Sequence, residues 1–151
     1  MSGPLLVLWL HVLGVVGWIG GVLYQAYVLG PAARRGGAKA LVEAARRARP
    51  VTWIAISLVV LTGFYNVTRL GPPEQVLSSG AGLLLAGKFM LVLAMVALEA
   101  QRDFAQMPQL ARALAARADP GPALGAIAWL DRLVLLLATV VVYLGLAISR
   151  A

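Results

Sequence analysis

Four long apolar stretches, parted by short polar or basic connections, set the pattern of this chain. The first runs without a charge from Leu5 to Leu29, and its 25 residues exceed the ~20 that a helix needs to cross a bilayer. It lacks the basic leading region and short apolar core of a cleaved leader, so it is expected to be a helix of the mature chain. The second stretch, 51–68, starts after Pro50 and stops at Arg69, Gly71, Pro72 and Pro73. Proline suits a helix start, and a Gly-Pro-Pro run ends one. The third, 82–101, is interrupted by Lys88 and then Glu99. The fourth, 123–149, follows Asp119-Pro120-Gly121-Pro122 and carries the adjacent pair Asp131 and Arg132. The pattern predicts an all-α fold: one integral membrane domain over 1–151, an antiparallel four-helix bundle with short connections at 30–50 and 102–122. No internal repeat or low-complexity tract interrupts it.

Composition sharpens this. Apolar residues are 61% of the 151 and charged residues 13%, against about 45–50% and about 25% in soluble domains. A soluble chain of this length cannot bury so much apolar surface, and disorder requires the opposite composition. The absence of cysteine excludes disulfides, zinc–thiolate sites, iron–sulfur clusters and cysteine nucleophiles. A single histidine, His11, excludes sites that need several from one chain.

The net charge of +7 is explained by topology rather than by nucleic acid. Nine basic residues (Arg34, Arg35, Lys39, Arg46, Arg47, Arg49, Arg102, Arg112 and Arg117) fall on one side, against Arg69 and Arg150 on the other. The positive-inside rule makes the nine-residue side cytoplasmic and turns both termini outward. The expected location is a bacterial-type inner (plasma) membrane, crossed several times, with the lipid bilayer as the first partner. The segment 31–50 reads either as a short basic helix at the head groups or as a solvated connection. Trp9 falls near the outer interface and Trp53 and Trp129 near the inner one, whereas Trp18 falls mid-span.

Depth then singles out a candidate site. At 1.5 Å rise per residue, His11 lies ~9 Å inside the outer end of its span. Lys88 lies at a matching depth in the third span, with Tyr65 and Asn66 in the second and Tyr143 in the fourth. A lysine inside a span costs about 2.5–3.5 kcal/mol on insertion scales and usually faces the bundle interior. The bland alternative is that Lys88 snorkels outward and His11 only bonds a neighbouring helix. His11, Trp18 and Gln25 recur every seven residues and share a face, with Gly14 and Gly21 on or beside it. Lys88, Met95 and Glu99 share another, where Glu99 has Arg102 or Arg132 as candidate partner. Asp131 and Arg132 read as a structural charge pair. Gly17 and Gly21 form a GxxxG, which suits close packing of helices and a homodimer.

The residue types limit the chemistry. Copper favours thiolate, thioether or imidazole donors, and here His11, Met90 and Met95 are the candidates within the spans. Haem b would take His11 as an axial ligand, with Met90, Met95, a second chain or an open position as the other. Lys88 would hold an anionic group such as a propionate. A hydrolytic triad, a phosphate loop and paired carboxylates are absent, and no catalytic residue is assigned.

The first span, LWLHVLGVVGWIGGVLYQAYVLGPAARR, resembles the His helix of the copper-resistance protein D (CopD) family. LVVLTGFYNVTRL is similar to its Thr-Gly helix, and GLLLAGKFMLVLAMVALEAQRDF to its Leu-rich helix with an embedded lysine. His11, Trp18, Gly20, Gly21, Thr62, Gly63 and Lys88 carry the likeness, which covers spans one to three and extends to span four only in hydrophobicity. The related membrane protoporphyrinogen oxidases (HemJ) share the positions of His11, Trp18, Gly21, Tyr24 and Lys88. This chain lacks their Leu-Pro-Arg after the tyrosine and their Asn-Glu-x-Pro in the fourth span. The first resemblance implies a membrane protein that handles copper through His11. The second implies a haem-b protein with oxidase or electron-transfer activity. An accessory membrane subunit without chemistry is the third reading. The likeness favours the first, while a lone histidine without a methionine pair suits the second.

Overall fold

The apolar runs fold as helices, the conformation that satisfies every backbone polar group inside the segment itself. The computed structural model describes residues 3–69, 71–72, 74–75, 78 and 80–150. It is 94% helical, and no strand occurs among the described residues. Helix α1, Gly3–Tyr24, passes through a π-helical turn, Gln25–Leu29, and a short α2, Gly30–Ala32. A second π-helical segment, Ala33–Gly37, contains the break that reverses the chain. There Arg35 leaves helical geometry (φ −92°, ψ 18°) and Gly36 takes φ 105°, a conformation open to glycine and strained for other residues. Helix α3 then runs over Ala38–Thr68, α4 over Gly80–Gln101, α5 over Met107–Ala115 and α6 over Gly121–Arg150. A third π-helical turn, Arg102–Gln106, joins α4 to α5.

Three helical stretches, Gly3–Thr68, Gly82–Ala115 and Gly121–Ala147, are long and apolar enough to cross a membrane. The first folds back on itself at Gly36, so that α1 and α3 form an antiparallel hairpin. His11, near the start of α1, meets Thr62, near the end of α3. Helices α4 and α6 form a second hairpin: Lys88 of α4 approaches Gly145, while Arg102 just beyond α4 meets Asp131. Large apolar side chains cover the outside, Leu83 being 79% exposed, as suits contact with lipid tails.

The connections are more ordered than loops. Pro50, expected to open a helix, lies inside α3, which begins at Ala38. The stretch 38–49 is rich in Ala, Leu, Glu, Lys and Arg, all strong helix formers, and their propensity outweighs the lost bond and the crowding of the preceding turn at Pro50. Arg46 and Arg47 pair with Glu43 at 2.8 and 3.0 Å, reinforcing the exposed face. The opposite face, through Ala38, Leu41 and Ala45, packs with Met107 and Leu110 of α5 and Ile127 of α6. This forms one core at the end where the connections lie. A second core, around Trp18, Val59, Met95 and Val134, joins the two hairpins at mid-length.

Candidate functional site

Beyond the second core the hairpins separate around a cavity of about 420 Å³. All four long helices line it, and valine dominates its wall. An edge-on contact of Phe64 with Phe89, ring centroids 6.2 Å apart, bridges α3 and α4 there. His11 and Lys88 both line this cavity. Their shared depth in the sequence therefore corresponds to a shared space. Among the described residues no carboxylate pairs with Lys88, whose Nζ lies 3.3 Å from where a Cβ on Gly145 would stand.

His11 is held against α3, by the Thr62 hydroxyl and the Val59 backbone. Its Nδ1 lies 2.9 Å from Thr62 Oγ1. The Thr62 hydroxyl donates its proton to the Leu58 carbonyl, so its oxygen accepts from His11 Nδ1–H. In the neutral ring this bond leaves the lone pair on Nε2. Gly63 makes room for the ring, since a Cβ there would lie 3.4 Å from His11 Cε1. Trp18 and Met95 are buried and also line the cavity.

The remaining expected site residues do not converge on it. Met90 is 66% exposed, Tyr143 is 70% exposed and Tyr65 is exposed, and none of the three lines the cavity. Gly14 instead seats α1 on α3, because a Cβ there would lie 2.9 Å from Val59 Cγ2. Gly17 faces Ala55 of its own chain, and a Cβ on Gly21 would meet nothing within 4 Å. Donors are correspondingly few. No group of three His, Asp or Glu able to hold a metal occurs among the described residues. In the cavity wall, His11 and Met95 are the soft donors.

Below the cavity lies a buried charge cluster, of which the sequence offered only the pairing of Glu99 with Arg102. Arg102 is buried, with Nη1 2.8 Å from Asp103 Oδ1 and Nε 2.6 Å from Asp131 Oδ1, and Nη2 donates to Gln25 Oε1. Trp53 Nε1 donates to Asp103 Oδ2 at 3.1 Å, and Arg49 donates to the Asp103 carbonyl while lying over the Phe104 ring. Glu99 receives only a long bond from Trp18 Nε1, 3.4 Å, and stands 3.8 Å from Arg102 Nη1. Asp131 thus pairs with Arg102 and not, as expected, with Arg132, which is exposed. Neighbouring helical residues point about 100° apart, so adjacent charges do not face each other. The clue available in the sequence was the seven-residue stripe ending at Gln25, opposite the face ending at Glu99.

A two-hairpin helical membrane protein, with an apolar cavity bearing one imidazole and one ammonium above a buried charge cluster, is the class that these features define. The model of the family described as copper resistance protein D, CopD, matches residues 42–148, and the chain belongs to that family. The match covers α3 to α6 and leaves out the His11 helix, on which much of the sequence resemblance rests. It extends through the last span, where the resemblance is one of hydrophobicity alone. No curated protein and no solved structure matches the chain. The protoporphyrinogen oxidase likeness has no counterpart among these matches.

Proposed function

We propose that the protein is a four-span plasma-membrane component of copper resistance that engages Cu(I) as cargo in the cavity beside His11. The observation that carries this reading is the Thr62–His11 bond, which leaves Nε2 as a free donor in a cavity that Met95 also lines. Imidazole and thioether are donors that copper accepts. Two of them, with the Lys88 ammonium in the same wall, make a weak site suited to passing the ion on rather than storing it. Membership of the copper-resistance family supports the choice of cargo.

Titration of the purified protein with Cu(I) under reducing conditions tests this. One weakly held ion per chain is expected, lost in His11→Ala and unchanged in Met90→Leu. Thr62→Val, which frees the ring to rotate, is expected to weaken binding about 10–100-fold, as loss of a ligand's orienting partner does. Copper binding that survives His11→Ala would remove the reading.

The four-span reading places both termini and the cavity on the outer side, because the basic residues gather at the other end of the hairpins. The chain has no native cysteine, so single cysteines report topology directly. Cysteines replacing Ala40 or Ala118, both exposed, are expected to resist a membrane-impermeant thiol reagent in intact cells and to react once the cells are opened. Labelling in intact cells would reverse the orientation.

A further inference from the structure

The buried cluster holds more acid than base. Glu99, Asp103 and Asp131 surround one guanidinium, that of Arg102. Arg102 spends its short contacts on Asp103, Asp131 and Gln25, and Asp103 gains a further donor from Trp53. Two carboxylates already outweigh the Arg102 cation. Glu99 is left 0% exposed, with Oε1 free of any hydrogen bond and Oε2 reached only by the long Trp18 bond. Arg49 of α3 brings a second guanidinium to the Asp103 backbone, which still leaves one cation fewer than the three acids; Arg132 of α6 is exposed, and His11 of α1 and Lys88 of α4 line the large cavity. An uncompensated carboxylate in such surroundings bears the cost of its desolvation with little in return. Taking up a proton removes that cost.

The position matters as much as the charge. Trp18 lines the large cavity and donates to Glu99 on its other side. Gln25, bonded to Arg102, and Asp131, ion-paired with it, line a second cavity of about 100 Å³ toward the connections. Glu99 therefore sits in the partition between two cavities that approach it from opposite ends. We propose that Glu99 is a proton-binding site of the membrane interior, its carboxyl group neutral in the resting protein. The site takes a proton as its ligand and involves no redox step. It gives the partition a group that changes charge without moving a helix. The inference does not depend on what occupies the large cavity.

The chain has three glutamates, and Glu43 and Glu74 are at the surface. This allows a test on the whole protein in lipid nanodiscs, using ¹³C-glutamate and infrared spectroscopy at neutral pH. A carbonyl stretch of a protonated carboxyl is expected that moves with the label and disappears in Glu99→Gln. Absence of a label-sensitive band in the wild-type protein would overturn the proposal. A second measurement needs only the unfolding curve. Glutamine copies the shape of a neutral glutamate, so Glu99→Gln is expected to melt with the wild type. A large fall in melting temperature would show that the fold uses the anion, and would equally overturn it.

Discussion

Replacing Arg102 by methionine is expected to destabilise the protein by about 3–5 kcal/mol, the cost of removing one partner from a buried ion pair. Methionine keeps the apolar stem and removes the guanidinium, so little of the loss comes from packing. What remains is Asp103 and Asp131 without the guanidinium that joins them, and Gln25 without its donor. The damage spans the molecule, because Gln25 follows α1, Asp103 follows α4 and Asp131 belongs to α6. Arg102→Lys is expected to recover only part of the loss, since one ammonium cannot reproduce a fork that reaches three partners. Unfolding in a mild detergent, followed by tryptophan fluorescence or circular dichroism, measures both. A methionine variant within about 1 kcal/mol of the wild type, the range of ordinary surface ion pairs, would mean that the cluster contributes little to the fold.

Gly14→Leu is expected to cost about 1–3 kcal/mol, the usual penalty for overfilling a packed contact. A Cβ at this position would lie 2.9 Å from Val59 Cγ2 and 3.1 Å from the Ala55 carbonyl oxygen. The side chain can shift, whereas the carbonyl belongs to the helix backbone. Helix α1 must therefore move off α3. His11 stands three residues away on α1, ~4.5 Å along the axis, so its bond to Thr62 is strained by the same displacement. Gly17→Ala is the control, because its Cβ would make an ordinary 3.7 Å contact with Ala55. Equal melting temperatures for the two variants would remove the explanation.

Hydropathy made the helical, membrane-suited character of the fold legible, since it depends on run length alone. Depth was equally legible: His11 and Lys88 share a cavity because residues equally far along antiparallel helices meet at one level. Direction around each helix was harder to read. At about 100° per residue, two positions apart means nearly opposite faces. Gly63 lines the cavity and Tyr65 does not; Val141 does and Tyr143 does not; Lys88 does and Met90 does not. Met95, seven residues from Lys88, returns to the same face and is buried. Helix extent was obscured by Pro50, whose usual meaning at a helix start was outweighed by the helix-forming residues before it. The Arg102–Asp131 pair was invisible because a bond between residues 29 positions apart leaves no local pattern.

The arrangement of the hairpins has a mechanical side. They are fastened together at the Arg102 cluster and share a core at Trp18 and Met95, yet stand apart around the cavity beyond. Such a shape is a pair of tweezers whose free arms begin at the shared core. From Met95 to Lys88 is seven residues, an arm of ~10.5 Å at 1.5 Å per residue. A relative rotation of about 10° at the core would move the tips by only about 2 Å over that arm. The width of the mouth is therefore set by the packing of Trp18 and Met95 more than by the charges beneath them.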